Sequence, residues 1–562
     1  MNDKPIIYQL IPRLFTNYNN NCCQSGTIRQ NGSGKLADIN PAILRSIADM
    51  GFSHVWLTGV IEHSHCSDYT EYGIPRDNCH VIKGEAGSPY AITDYYDIDP
   101  DLAVSVPDRI KEFEATVKRI HKAGLKVIID FVPNHVARQY RSDARPADAP
   151  SDFGTGDYNT LFFAPTNSFY YIPGHDFAPT VDMGSGADAY REFPAKASGN
   201  DCFTASPGTY DWYDTVKLNY GVDPTSGWRH FNPVPPTWHK MLHILMYWAA
   251  KGVDGFRCDM VHMVPVEFWQ WAVPQVKAKY PGVIFIAEIY DVNLYRPYIE
   301  IGGFDYLYDK VGLYDTLRAI VTGNASASDI TRAWQHVDGH QHNMLYFLEN
   351  HDEQRFASPQ FAGDARKAIA PMAVSALLGP GAVMVYFGQE LGEPGTDAEG
   401  YSGRDGRTTI FDYWSLDTMR RWLNEGRPSE KNLTAAERGL RAMYKKILNI
   451  AGSEKTVKEG AFFDLMYVNT EANEKFDPRR QYAFLRHAGD ETMLVVANFS
   501  DSPVVASVNI PQHAFDYFNM PQGCYHAEEL LTGTRKEAEF TASAPFEIPI
   551  PAHGAAVWKL TR

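Results

Sequence analysis

From Pro5 to about residue 450, short β-branched or aromatic runs alternate with segments of helical period, and no other feature restricts the fold as strongly. The runs are 6–10, 54–58, 125–132, 253–258, 283–287, 304–308, 344–348 and 382–387. Helical spacing covers 41–50, 106–123, 238–250, 266–279 and a last segment near 435–450. Eight β-then-α units predict an α/β fold, a closed parallel (β/α)8 TIM barrel. Val127-Ile128-Ile129 and Val283-Ile284-Phe285-Ile286 are continuously apolar, as strands buried on both faces should be. Residues 368–388 carry no charge over about twenty positions, the length of a membrane span. Pro371, Gly379, Pro380 and Gly381 break that stretch, which predicts a buried helix followed by a buried strand and no membrane partner.

Two segments interrupt the rhythm. Residues 61–90 follow the second strand, and 136–236 follow the third. The longer one is rich in Asp, Gly, Pro and Tyr and has no helical period, so it is expected to be an irregular subdomain walling one side of the barrel mouth. After about residue 455, short runs at 482–485, 492–497, 504–508 and 555–558 predict a C-terminal antiparallel β-sandwich. The expected division is 1–135 with 237–454 for the barrel, 136–236 for the insertion and 455–562 for the sandwich.

Three of the barrel strands end in acids. Asp259 follows Gly255-Phe256-Arg257-Cys258, Glu288 follows Ile286-Ala287, and Asp352 closes Asn350-His351-Asp352. In a parallel barrel those strand ends open on one pocket. Retaining cleavage of a glycosidic bond requires an ionised nucleophile, a protonated carboxylic acid and a group that steadies a developing cation. Arg257 lies two residues before Asp259, leaves the strand on the same face, and is expected to keep Asp259 ionised. Glu288 closes an apolar run, which is expected to raise its pKa as a proton donor requires. Asp352 is expected to take sugar hydroxyls or oppose positive charge. Asp130 and His135, on either side of Asn134, are expected to fix polar groups at the pocket floor. Any one acid alone reads as a solvated loop charge. Three at strand ends of one barrel, joined by Arg257, His135 and His351, read as a catalytic centre.

The motifs carrying these residues resemble the signatures of glycoside hydrolase family 13, the α-amylase family. Asp130-Phe131-Val132-Pro133-Asn134-His135 resembles the first and Gly255-Phe256-Arg257-Cys258-Asp259 the second. Ile286-Ala287-Glu288 resembles the third, Leu348-Glu349-Asn350-His351-Asp352 the fourth, and Tyr386-Phe387-Gly388-Gln389-Glu390 the one after the eighth strand. The resemblance implies Asp259 as nucleophile, Glu288 as acid/base and Asp352 as transition-state stabiliser. It implies that Arg257, His135 and His351 line the −1 subsite and that Tyr90 stacks on the sugar. It also implies Asn134 as a candidate calcium ligand. Where relatives carry Lys-His shortly after the nucleophile, this chain has His262-Met263. That departure weakens the case for a structural calcium and leaves His262 as a sugar contact on the reducing side. Tyr213-Asp214-Thr215-Val216-Lys217-Leu218-Asn219 stands where a Pro-Asp-Leu-Asn-like stretch is usual, which points away from the most ordinary amylases.

Composition narrows the partners. Lys plus Arg total 52 against 68 Asp plus Glu, a net charge of −16 with no basic stripe, which argues against nucleic acid. Aromatic residues make up 13% of the chain and can stack on sugar faces, although most belong to the core. Seven Cys without repeating spacing predict reduced thiols, adjacent Cys22-Cys23 being the one candidate exception. No charged, apolar leader precedes the first strand, so the chain as written reads as cytoplasmic; a leader trimmed beforehand would make it periplasmic or extracellular. Two His-x-His pairs, His63-Ser64-His65 followed by Cys66, and His340-Gln341-His342, raise a metal-hydrolase alternative. Spacing places no carboxylate beside either, and surface histidines are the default. A non-catalytic glycan-binding barrel is opposed by the presence of all three acids. A transglycosylase would use the same residues. The expected activity is retaining hydrolysis of α-1,4 links in starch, glycogen or maltodextrins, with no cofactor required.

Overall fold

The computed structural model describes residues 4–337, 339–401 and 403–562. The Met1-Asn2-Asp3 end, part of the leader reading, lies outside the described residues.

Eight parallel strands close into a barrel: β1 (Ile6–Leu10), β2 (His54–Leu57), β3 (Lys126–Phe131), β4 (Gly255–Cys258), β5 (Ile284–Ala287), β6 (Tyr306–Tyr308), β7 (Met344–Phe347) and β8 (Ala382–Tyr386). Each pairs with its neighbour in sequence order, and β8 returns to β1 through Ile6↔Val383 and Ile7↔Met384. Every residue of β1, β2, β4, β7 and β8 is buried, which is why these runs are apolar without alternation. The longer outer helices are α1 (Pro41–Asp49), α2 (Arg109–Lys122), α3 (Pro236–Ala250), α4 (Val266–Lys279), α5 (Ile369–Leu377) and α6 (Ala435–Ser453). Their starts follow local chemistry. Asn40 accepts from the N–H groups of Ala42 and Ile43 ahead of α1, and Thr434 with Glu437 forms a reciprocal cap on α6. The uncharged stretch divides as expected into α5 and β8, and among the described residues no helix is long and apolar enough to cross a membrane.

The insertion after β3 holds only short pairings, His135–Ala137 with Thr215–Lys217 and Tyr171–Ile172 with Ala195–Lys196. In place of helices it has a buried hub. Arg138 pairs with Glu192 at 2.8 Å, lies 3.5 Å over the Phe177 ring, and donates to Ser198. Phe177, Ala195 and Tyr213 form a small apolar cluster with Val81 of the shorter insertion.

That shorter insertion corrects two expectations. Cys66 and Cys79 form a disulfide with Cα atoms 5.4 Å apart, so the thiols are not all reduced; Cys22 and Cys23 are free. The loop folds back on itself, and the spacing of the cysteines does not record that fold. His63 and His65 are buried at 2% and 5% exposure, not at the surface, because the strand Ile61–His63 pairs with Ile92–Ile98. His342 is exposed, as expected.

Beyond α6, six antiparallel strands follow the spatial order β9 (Ala461–Asp464), β10 (Gln481–Ala488), β11 (Glu491–Asn498), β16 (Ala555–Thr561), β13 (Gly523–Glu529) and β14 (Thr534–Phe540). A separate pair, β12 (Val504–Val508) and β15 (Phe546–Ile550), completes the sandwich.

Candidate active site

The C-terminal ends of the barrel strands open on a cavity of about 320 Å³ lined by Tyr90, His135, Asp259, Glu288 and Asp352. Arg257 lies under it with 0% exposure and organises the acids. Its Nη1 donates to Asp259 Oδ1 at 2.8 Å and lies 3.6 Å from Asp130 Oδ1; its Nη2 is 2.9 Å from Glu288 Oε1. The rings of Trp56, Tyr90 and Tyr308 surround the guanidinium at 5.3–5.5 Å. A two-residue spacing on β4 thus delivers cation and carboxylate to one face, as the sequence predicts.

Asp259 and Glu288 are close enough for their carboxyl groups to share a hydrogen bond. Two buried acids at that distance do not both ionise readily. Burial and the charge of Glu288 push Asp259 well above the usual carboxylate range, against the pull of Arg257. Burial works in the same direction on Glu288, but Arg257, the Tyr290 hydroxyl at 2.6 Å and the Met260 N–H at 2.9 Å outweigh it and lower its pKa. Met260 takes a left-handed backbone, φ 43°, to aim that N–H. In the sugar-free cleft Glu288 is therefore the ionised partner and Asp259 holds the shared proton. This reverses the expectation drawn from the apolar run before Glu288. Asp352 faces the cleft with 39% of its side chain exposed; burial of the rest and the charge of Glu288 raise it to about 7.

A polar chain fixes the floor. The Gln9 amide nitrogen can only donate, so His351 Nδ1 accepts from it at 2.7 Å and Nε2 carries the proton. Nε2 faces the Tyr90 hydroxyl at 2.5 Å and Asp352 Oδ2 at 3.1 Å, and Tyr90 donates on to Asp130 at 3.2 Å. Asp130 also accepts from Trp56 Nε1 and the Gly59 N–H; burial nevertheless raises it to about 6. Burial and then Arg257 hold His351 neutral, and burial with Lys217 and Lys83 lowers His135 to about 3.

His262 does not join this group. It lines a neighbouring cavity of about 420 Å³ with Tyr170, Phe203, Lys217 and Met263. Several lining residues were not singled out from sequence. Tyr290 repeats the two-residue spacing of Arg257 and Asp259, a signal that was available. Trp212, packed on His135 with ring centroids 5.1 Å apart, and Lys83, paired with Asp214 at 3.0 Å, come from the two insertions and carried no periodic signal.

The calcium expectation for Asn134 is corrected here. Its Oδ1 accepts from the Lys217 ammonium, and its Nδ2 donates to the Gly199 carbonyl. Lys217 also donates to the Met263 carbonyl at 3.1 Å and pairs with Asp201 at 2.7 Å. A lysine cation thus occupies the centre of an oxygen nest drawn from three segments. Calcium takes 6–8 oxygens and would be repelled by that charge, so the residues present do not fit it. Burial lowers the Lys217 pKa, and Asp201 opposes the shift.

Fold and cleft together define a (β/α)8 barrel with acids and a buried arginine at its mouth. The family model described as Alpha amylase, catalytic domain matches residues 9–182 and 234–446. The chain belongs to the α-amylase family, glycoside hydrolase family 13. It is 27% identical over 356 residues to Alpha-amylase MalA of Haloarcula japonica, covering 62% of this chain and 40% of that protein. It is 24% identical over 437 residues to a cyclomaltodextrinase of Geobacillus thermopakistaniensis, covering 74% of this chain and 60% of that one. The chain thus spans less than two thirds of the length of these curated relatives. In fold it is similar to a maltogenic α-amylase, AmyB of Thermotoga neapolitana, with a TM-score of 0.63 at 18% identity and 99% coverage of both chains.

Proposed function

We propose that the chain is a retaining glycosidase that cleaves α-1,4-glucosidic bonds of starch, glycogen or maltodextrins by double displacement. Asp259 attacks the anomeric carbon, Glu288 protonates the leaving oxygen and then activates water, and Asp352 steadies the oxocarbenium-like charge. Tyr90, His135 and His351 hold the sugar at the −1 position above Asp130 and Arg257, and His262 meets the chain on the reducing side. The observation that carries the reading is one buried guanidinium, Arg257, holding both acids, Asp259 at 2.8 Å and Glu288 at 2.9 Å, so close that each perturbs the other's protonation. Inverting enzymes keep their carboxyls about 6.5–9.5 Å apart to admit a water, and this pair is too close for that. Catalysis needs the proton on Glu288 and the charge on Asp259. A sugar ring entering between them breaks the shared hydrogen bond and draws Glu288 off Arg257, leaving the guanidinium to Asp259 alone. We also propose the division into a barrel (1–135 and 237–454), a cleft-walling insertion (136–236) and a sandwich (455–562). The Cys66–Cys79 disulfide supports an oxidising compartment in place of the cytoplasm.

Incubation with maltoheptaose, following product length and anomeric form by NMR, tests the function. Shorter products released first as the α-anomer are expected. β-Anomeric product or no reaction overturns the proposal. Products longer than the substrate would make the same residues those of a transferase, the activity named for relatives 30% identical over 91 residues, called maltosyltransferases.

A further inference from the structure

Behind the cleft wall, where the 61–90 loop leaves the barrel, the side chains of His65, Asp99 and Asp101 converge. One ligand atom from each lies within 4.8 Å of the others, and all three residues are buried. They come from different elements. His65 follows the strand Ile61–His63, whereas Asp99 caps a one-turn helix, Pro100–Leu102, and accepts at 2.9 Å from the N–H of Asp101 within it. The His-x-His pair therefore does meet carboxylates, brought in by antiparallel pairing of Ile61–His63 with Ile92–Ile98. The Cys66 sulfur, the other donor the sequence offered, is taken by Cys79.

The balance of partners in this pocket is incomplete. His65 is 5% exposed, and its Nδ1 has no hydrogen-bond partner. Asp99 is 0% exposed and its Oδ2 accepts no full hydrogen bond, because the His63 N–H 3.0 Å away is shared with the Ile61 carbonyl. His63 accepts from Arg13 on its other nitrogen, so it is neutral. Arg13 also donates to the carbonyls of Ala86 and Ile410. Lys35 donates to the Asp101 backbone carbonyl, not to its carboxylate. Among the described residues neither Asp99 nor Asp101 is within ion-pair distance of a lysine or arginine. Against its burial, the charges of Asp101 and Asp99 push the His65 imidazole above its ordinary pKa, so the pocket draws positive charge to this point, which an imidazolium or a bound cation supplies.

We propose that His65, Asp99 and Asp101 bind a divalent first-row transition ion of the zinc type. One imidazole with two carboxylates suits such an ion, whereas calcium or magnesium would want an all-oxygen shell. Tyr69 and Tyr413 donate to Asp101 at 2.7 and 2.6 Å, the outer support that orients a ligating carboxylate. The ion ties the root of the loop carrying Lys83, Ser88 and Tyr90 to the Pro100–Leu102 turn. It contacts none of the three catalytic acids as a ligand and holds the cleft wall in place.

The test uses the full chain, stripped with a chelator and titrated with Zn(II) and, separately, Co(II). The wild type is expected to retain one equivalent of zinc after desalting, to melt at a higher temperature with zinc, and to show the visible absorption of low-coordinate Co(II) with a nitrogen ligand. His65→Gln and Asp99→Asn are each expected to weaken zinc binding by at least about 10-fold. His342→Gln, at an exposed histidine, is expected to change nothing. Failure of the wild type to retain zinc, or a melting temperature indifferent to zinc and chelator, overturns the proposal. Unchanged affinity in His65→Gln does the same. Should either pocket variant fold poorly, the Co(II) spectrum of the wild type decides alone, since octahedral all-oxygen cobalt would exclude His65.

Discussion

The floor and the wall of the cleft are built on different principles. The floor is made of strand ends: Arg257, Asp259 and Glu288 stand on β4 and β5, with Asp130 at the end of β3. Their positions are fixed by a closed ladder of backbone pairing, and one guanidinium contacts three carboxyls within 3.6 Å. The wall is made of loops. Trp212 and Lys83 reach the same cavity from segments held by a disulfide, a buried Arg138–Glu192 pair and the Lys217 nest. Floor residues should therefore govern the chemistry and wall residues the grip on the sugar. The difference teaches where precision is placed: on rigid elements at the reacting atoms, on cross-linked loops around them.

The largest effect should come from the floor. Asp259→Asn is expected to lower kcat by about 10⁴-fold or more, with the fold intact by circular dichroism. Glu288→Gln should cost about 10²–10⁴-fold on maltodextrins, as loss of an acid/base group does. A substrate whose leaving group needs no proton, an α-maltosyl fluoride, separates the two. It should restore the first step in Glu288→Gln and leave Asp259→Asn inactive. Recovery in both variants, or in neither, would mean that the roles are wrongly divided between the two acids.

Trp212→Ala addresses the wall. The indole packs on His135 and faces the cavity, so its removal takes away a stacking surface worth roughly 0.5–1.5 kcal/mol. KM is expected to rise about 2–10-fold with kcat nearly unchanged. A fall in kcat with unaltered KM would place Trp212 among the floor residues and break the comparison.

Lys217→Met tests what holds the wall to the floor. The variant leaves Asn134 Oδ1 and the Met263 carbonyl without their common donor, a loss of about 1–3 kcal/mol per unsatisfied buried group. The melting temperature should fall, while millimolar calcium should leave that of the wild type unmoved. A calcium-dependent rise in the wild type would show that the nest does accept the ion.

The same division explains what could be read from sequence. β4 and β5 are apolar runs ending in acids, and period-two spacing on β4 puts Arg257 beside Asp259, so the floor was legible. Tyr290 obeys the same spacing after Glu288 and could have been found with it. The nest was not legible, since Lys217 and Asn134 are 83 residues apart and meet only through short bridging strands. Nor was β14, whose Thr534-Arg535-Lys536-Glu537 half is exposed and polar and leaves no apolar alternation to detect. The protonation of the acid pair was misjudged for a related reason. The run before Glu288 is local, whereas the donors that lower it include Arg257 from β4 and the strained Met260 backbone.

The smallest effect isolates that last point. In the sugar-free cleft the Tyr290 hydroxyl donates to Glu288 at 2.6 Å and helps to lower its pKa. Tyr290→Phe removes a donor that favours the ionised carboxylate, so the folded-state pKa of Glu288 rises. Activity requires one proton on the Asp259–Glu288 pair, and kcat/KM should be bell-shaped in pH, falling when the pair gains a second proton and when it loses the first. With Asp259 holding the shared proton, the second proton goes to Glu288, and a Glu288 that is harder to ionise takes it up at higher pH. The acid limb should move upward by a fraction of a unit, and the alkaline limb, set by deprotonating Asp259 while Glu288 is ionised on both sides of the step, should move by less. An alkaline limb that moves upward more than the acid limb would mean that the proton already lies on Glu288 before any sugar arrives.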